Sequence, residues 1–208
     1  MNIIEPSYKI TDDIDAVALM KRVEAAGRIC YKSEGATTEG SYAKFIASRV
    51  KQGHESILEH EKVSVLIVCD RGVSHELVRH RIASYTQEST RYCNYGKSKF
   101  GGELTFIRPF FFKEDSPEYV LWITAMRNAE ASYMRLLDSG ASPEMARSVL
   151  PNSIKTEILV TMNLREWRHF FRMRTDAAAH PQMRQLAIPL LMECARMMPP
   201  VFGDIEHV

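Results

Sequence analysis

Two periods of hydrophobic residues run through this chain. Between 62 and 69, Val63, Val65 and Ile67 alternate with Ser64, Leu66 and Val68, which predicts a strand largely buried on both faces. Over 117–138, Tyr119, Trp122, Met126, Ala129, Tyr133 and Leu136 recur at steps of three and four, the stripe of an amphipathic helix that Gly140 ends. Further helices are expected at 13–27, with Thr11 and Asp12 as caps, and at 41–52, stopped by Gly53. A short helix at 73–81 leads into a polar loop at 84–99. Ser142 opens another helix, with Pro143 in its first turn, and two more are expected at 164–174 and 181–198. Strands are expected at 2–5, 104–108 and 154–162, although Glu157 is a poor fit to the last. Strands separated irregularly by helices, without repeated β-α-β units, favour an α+β fold.

Composition narrows this picture without deciding it. With 208 residues, 45% hydrophobic and 25% charged, the chain reads as one domain, 1–208, of an ordinary globular protein. Lys plus Arg is 27 against 26 for Asp plus Glu, so nucleic acid is not an expected partner. Basic charge is instead local. Arg79–Lys113 holds seven Lys or Arg and two Glu, and Arg165–Arg184 holds five Arg against Glu166 and Asp176. Such clusters in a neutral protein suit small anionic ligands. The four cysteines form no C-x-x-C pair, and neither a signal segment nor a membrane span reads out, so a reduced cytoplasmic protein is expected.

No glycine-rich phosphate loop of either common type occurs, so side chains must supply most phosphate recognition. The densest candidate is Arg79-His80-Arg81, followed after seven residues by Ser89-Thr90-Arg91-Tyr92. Guanidinium forks, hydroxyls and loop amides together form a good anion cradle. A solvated basic turn, paired with acidic neighbours such as Glu76, is the bland alternative. His54, Glu55, Glu59 and His60 could suggest a metal site, but their spacing does not bring two histidines to one helix face, and no metal is expected. Trp167, Phe170 and Phe171 interleave with arginines, which can mean either base stacking or a core-facing helix. Cys93 lies near Arg91 and is read as an incidental thiol.

The Arg-His-Arg…Ser run resembles the signature of flavin-dependent thymidylate synthases. Three other segments extend the resemblance in order: Gly53-His54-Glu55-Ser56-Ile57-Leu58-Glu59-His60, Ala146-Arg147-Ser148-Val149-Leu150-Pro151, and Asn163 and Arg165 through His169 to Arg174, with Gln182-Met183-Arg184 after them. The resemblance implies a central, mainly antiparallel sheet flanked by long helices. It also implies a homotetramer with shared active sites, which methylates dUMP to dTMP using FAD, NADPH and methylenetetrahydrofolate. By position, Ser56, Arg79, His80, Arg81, Gln87, Asn163, Arg165 and His169 would contact FAD. Glu76, Arg79, Gln87, Ser89, Arg91, Arg147 and Arg174 would surround dUMP. Arg174 would be catalytic by stabilising negative charge on the pyrimidine, with Ser89 positioning the substrate. Thr86, Gln87, Glu88, Glu76 and His169 depart from the commonest pattern of the family, and a carboxylate at 76 suits a phosphate poorly. The alternative function is a non-catalytic nucleotide- or RNA-binding relative.

Overall fold

A computed structural model describes residues 1–206. The chain begins with β1 (Asn2–Ile4), β2 (Ser7–Ile10), α1 (Ala16–Ile29) and α2 (Ser41–Lys51). A 3-10 turn at Glu55–His60 precedes β3 (Lys62–Asp70), α3 (Arg71–Leu77), β4 (Ala83–Gln87) and β5 (Thr105–Ile107). Then come α4 (Pro117–Asp138), α5 (Pro143–Ala146), β6 (Lys155–Asn163), α6 (Leu164–Arg174), α7 (Pro181–Met197) and α8 (Pro199–Phe202). Helices and strands are mixed as an α+β fold requires. Two sheets form, one of β1 and β5 and one in the order β2-β3-β6-β4. The β1–β5 pair is parallel, with Ile3 opposite Phe106.

The chain divides into two compact units. The first comprises Met1–Ser7, Ile67–Arg79 and Thr86–Leu159; the second comprises Tyr8–Leu66, His80–Tyr85 and Val160–Val208. In the first unit, Tyr95, Leu104, Phe106, Met126, Tyr133, Ala146 and Ile154 form a continuous buried cluster. The 22 residues of α4 lie between the Ser116 cap, whose side chain accepts from the Tyr119 amide, and Gly140 at a φ of 91°. Only a residue tolerant of left-handed backbone ends a helix this way, as the sequence signalled.

In the second unit, α6 supplies the centre of the core. Trp167, Phe170 and Phe171 are at most 2% exposed, so their aromatic faces are packing and not a base-stacking platform. The Trp167 ring stacks on Phe171 at 5.6 Å, and its Nε1–H donates to the Val63 carbonyl at 2.9 Å. Burying three aromatic side chains removes on the order of several hundred Å² of apolar surface from water, the largest stabilising contribution available to a helix this short.

Several boundaries move from their expected places for local reasons. Helix α1 starts at 16 and not 13, because Asp15 caps it by accepting from the Ala18 amide at 2.9 Å. The expected caps are used elsewhere: Asp12 accepts from the Ser64 amide at 2.7 Å, and the Thr11 hydroxyl donates to the Ser64 carbonyl. Strand β2 and strand β4 were not anticipated, and β4 falls inside the expected polar loop. The alternate side of β3 is half-buried and not fully covered. Glu157, the misfit in β6, simply points to solvent.

Candidate active site

Helix α6 positions most of the candidate ligand contacts. Asn163 caps it, accepting from the Glu166 amide at 2.8 Å. Arg165, His169 and Arg172, spaced by four and three, emerge on the solvent side while the aromatic face stays buried. Together with Asn163, Ile82 and Glu166 they line a cavity of about 520 Å³. Its rim is charge-balanced. Arg165 Nη1 donates to Glu59 at 2.5 Å and Arg172 Nη2 donates to Glu55 at 3.1 Å, with both guanidiniums about half exposed. The Arg165–Glu59 pair is exposed on both sides and contributes little stability, so a phosphate can take the place of Glu59 at small cost, whereas Glu55 is also held by the buried Arg168.

Behind this wall lies a buried polar chain. Arg174 Nε donates to His80 Nε2 at 3.1 Å, and His80 Nδ1 sits 3.2 Å from Glu166 Oε1. The His80 side chain is 2% exposed and packs edge-on against Phe170 at 5.1 Å and His169 at 5.5 Å. Burial, and then the positive charge of Arg174 and His169, push His80 down to about 4, so the imidazole is neutral near pH 7. An N–H of arginine can only donate, so Nε2 is the acceptor and the ring proton belongs on Nδ1, facing Glu166. Burial raises the Glu166 carboxyl, with His169 opposing. Tyr85 donates to the His80 carbonyl at 2.7 Å and fixes the backbone there; burial and then Glu166 push its phenol up to about 12.

His80, Glu166 and His169 are also the one group of three among the described residues whose ligand atoms lie within 4.8 Å of one another. Both His80 nitrogens are already engaged, one by a guanidinium, so hydrogen bonding and not cation ligation suits this geometry. Glu55 and Glu59 similarly serve as partners for arginines. His54 faces the Tyr31 hydroxyl at 3.1 Å from Nδ1.

Ser56 and Arg165 lie on a neighbouring cavity of about 300 Å³, together with Tyr31, Arg49 and His54. There the Arg49 guanidinium lies over the Tyr31 ring at 4.9 Å, and its Nε is buried with no hydrogen-bond partner among the described residues. Arg79 and Arg81 are exposed and line neither cavity.

The expected dUMP contacts other than Arg174 fall in the first unit. After β4 the chain turns at Ser89, whose Oγ accepts from the Arg91 amide at 3.3 Å. Arg91 Nε donates to Glu144 at 3.2 Å, and Arg147 Nη1 reaches the Thr90 hydroxyl at 3.5 Å. Two exposed guanidiniums thus flank one buried threonine. Gln87 donates to the Ser74 and Thr156 hydroxyls at 2.9 and 3.1 Å, which commits its amide nitrogen to the fold. Glu76 is half-buried on the last turn of α3. His80, the base considered for Ser89, has both nitrogens occupied. Burial raises the Cys93 thiol, against a thiolate role.

Glu55, Glu59, Glu166 and Arg172 are site residues that the sequence did not assign. The two glutamates of the 55–60 turn were visible as an acidic-histidine cluster, but their partners lie more than a hundred positions away. Glu166 carried no signal beyond its place in the first turn of α6.

Two guanidiniums and three carboxylates line a cavity in front of a buried, neutral histidine on an α+β scaffold, a charged site suited to a polar ligand. The family model described as thymidylate synthase complementing protein matches residues 14–200. The flavin-dependent thymidylate synthase of Pyrococcus furiosus is 38% identical over 85% of this chain and 75% of its own length. That of Mycolicibacterium gilvum is 36% identical over 97% of this chain and 84% of its own. A solved UMP/dUMP methylase of Streptomyces cacaoi, bound with 5-Br dUMP, superposes with a TM-score of 0.80 at 26% identity, covering 98% of this chain and 96% of that one. This chain belongs to the thymidylate synthase complementing protein family.

Proposed function

We propose that this chain is a flavin-dependent thymidylate synthase, which methylates dUMP at C5 to give dTMP. In the balanced reaction, methylenetetrahydrofolate supplies one carbon and NADPH supplies two electrons, yielding dTMP, tetrahydrofolate and NADP⁺. FAD would carry those electrons. The observation that carries the reading is the arrangement on α6, where Asn163, Arg165 and His169 line one cavity and Arg174 is held by a neutral His80.

The residues present fit a flavin dinucleotide. Arg165 offers a guanidinium to a pyrophosphate, Asn163 and His169 offer polar edges, and Ile82 offers an apolar wall. Ser56 extends the surface into the cavity where the buried Arg49 Nε lacks a partner, a donor that a polar ligand would satisfy. The resemblance adds Arg79 and Arg81 to the proposed FAD set, with Gln87 through its carbonyl oxygen and His80 through its hold on Arg174. For dUMP we assign Arg91 and Arg147 to the phosphate, with Ser89 orienting the substrate and Gln87, Glu76 and Arg79 beside them. An arginine guanidinium keeps its charge in proteins, so Arg174 would stabilise negative charge on the uracil amide as C5 becomes nucleophilic.

The matched family runs through both units, which supports treating 1–208 as one functional domain. We also infer a mainly antiparallel central sheet. Ser64 of β3 meets Thr161 of β6, whereas Arg71 just after β3 bonds the carbonyls of Asn152 and Ile154, so the two strands run in opposite directions. A homotetramer sharing its sites, in a reducing cytoplasm that suits four unpaired cysteines, belongs to the same proposal.

The deciding experiment is an anaerobic incubation of the purified protein with FAD, NADPH, methylenetetrahydrofolate and dUMP, assayed for dTMP. Product that depends on both FAD and NADPH supports the reading. A protein that binds no flavin, yet binds oligonucleotides in a salt-sensitive manner, would replace it with the nucleic-acid-binding alternative.

A further inference from the structure

We propose that Glu166 is a positioning residue, which orients Arg174 by fixing the tautomer of His80. The inference rests on the thymidylate synthase reading for the role of Arg174, and on the buried chain Glu166–His80–Arg174 for everything else. Its links are 3.2 Å and 3.1 Å, and its central imidazole is 2% exposed.

A neutral imidazole has one donor nitrogen and one acceptor nitrogen, and which is which depends on its surroundings. Only the Nδ1–H tautomer accepts the Arg174 Nε–H; the other would set two donors face to face. Glu166 selects the productive form, because its carboxylate accepts from Nδ1 and repels a bare lone pair there. The groups around the ring leave little freedom to rotate. Phe170 and His169 pack on it edgewise, Tyr85 holds its backbone carbonyl, and Asn163 holds the Glu166 backbone amide at the helix start.

The consequence falls on Arg174. A free arginine side chain carries about 2 kcal/mol of rotamer entropy, and anchoring Nε removes much of it before any ligand arrives. The fork of the two terminal nitrogens is then presented in a set direction. An imidazole acceptor also brings no counter-charge to that contact, whereas a carboxylate placed directly on Nε would weaken the positive field that the reaction needs. Glu166 thus exerts its influence one ring away from the guanidinium. His80 is the link between them.

The first test needs no variant. In protein carrying heavy-nitrogen-labelled histidine, solid-state NMR near pH 7 is expected to show His80 neutral and protonated at Nδ1, its signal identified by its loss in His80→Gln. A charged ring, or a proton on Nε2, overturns the proposal. The second test is kinetic. Glu166→Leu is expected to lower kcat by about 10- to 100-fold, as loss of a group that orients a reacting residue does, with KM for dUMP little changed. Glu166→Gln keeps a carbonyl acceptor for Nδ1–H and recovers most of that loss. Normal turnover in Glu166→Leu, or equal losses in the Leu and Gln variants, overturns the positioning role. If the unaltered protein makes no dTMP, the reaction reading fails, and the NMR result alone still decides the tautomer.

Discussion

Asp204 is expected to contribute to stability far more than its half-exposed position suggests, because of what it neutralises. Arg168 is 0% exposed, and its guanidinium is shared among Glu55 at 3.1 Å, the Val201 carbonyl and both oxygens of Asp204 at 2.6 and 2.7 Å. Asp204→Ala removes the bidentate partner and leaves a buried cation with one carboxylate. Removing one member of a fully buried pair costs about 3–5 kcal/mol; the half-exposure of Asp204 admits water and brings the expectation to about 2–3 kcal/mol. For a chain of this length that is a fall in Tm of roughly 4–12 °C. Calorimetry at fixed protein concentration measures it. The pH dependence follows from linkage. Arg168, through its hydrogen bonds and charge, holds the Asp204 carboxyl below its ordinary 3.8. The folded state therefore gains from the ionised form at all pH values above 3.8, and the gain is lost as pH falls through the lower folded value. The difference from the unaltered protein is expected to close below that pH. A double-mutant cycle with Arg168→Met separates the pair from simple packing, since Met fills the site without charge and leaves Asp204 to solvent. Coupling of about 2 kcal/mol is expected. A difference below about 0.5 kcal/mol at neutral pH, the scale of ordinary surface substitutions, or one that persists unchanged in acid, would refute the reasoning.

Three other outcomes are expected. Arg174→Ala keeps the fold and the flavin but lowers dTMP formation by roughly 10²–10³-fold, the scale of losing one preorganised donor; near-normal turnover removes Arg174 from its role. Arg79→Ala weakens both FAD and dUMP in titrations, and an effect on only one ligand would end the idea that it serves both. His80 makes folding acid-sensitive: its folded value of about 4 lies below the ordinary 6.5, so the unfolded chain takes up a proton first as pH falls between them. Up to about 3 kcal/mol is lost over that window and fully present above it. Chemical denaturation of His80→Gln should give a flatter profile between pH 6.5 and 4, and an unchanged slope would contradict it.

What could be read from the sequence was whatever depends on neighbours along the chain. Helix α4 fell where its period placed it, because a stripe at steps of three and four and a stop are local signals, and α6 spans the residues expected of it. Strands β2 and β4 were missed for the opposite reason. Each is short and polar on one side, and each is a strand only because a partner elsewhere takes up its backbone groups. The start of α1 shows the same competition. Thr11 and Asp12 were the caps expected from the sequence, but Ser64, far along the chain, draws both away and Asp15 caps the helix in their place.

The candidate site divides along the same line. Ser89, Arg91, Arg147 and Arg165 were legible as candidates because hydroxyls and guanidiniums clustered within short motifs have few structural uses. The roles of Glu55, Glu59 and Glu166 were not, since a carboxylate gains meaning from the cation it faces, and those cations lie in α6 while the first two carboxylates lie in the 55–60 turn. His80 illustrates the difference most sharply. Its motif marks it as a ligand contact, yet its nitrogens are 3.1 Å from an arginine and 3.2 Å from a glutamate, 94 and 86 positions away. A residue surrounded in this way acts chiefly on the protein's own guanidinium. Its presence in the motif is therefore explained by the orientation of Arg174 as well as by a contact with a cofactor, and the two explanations part company in Glu166→Leu: the first predicts a fall in kcat, the second a change in flavin binding.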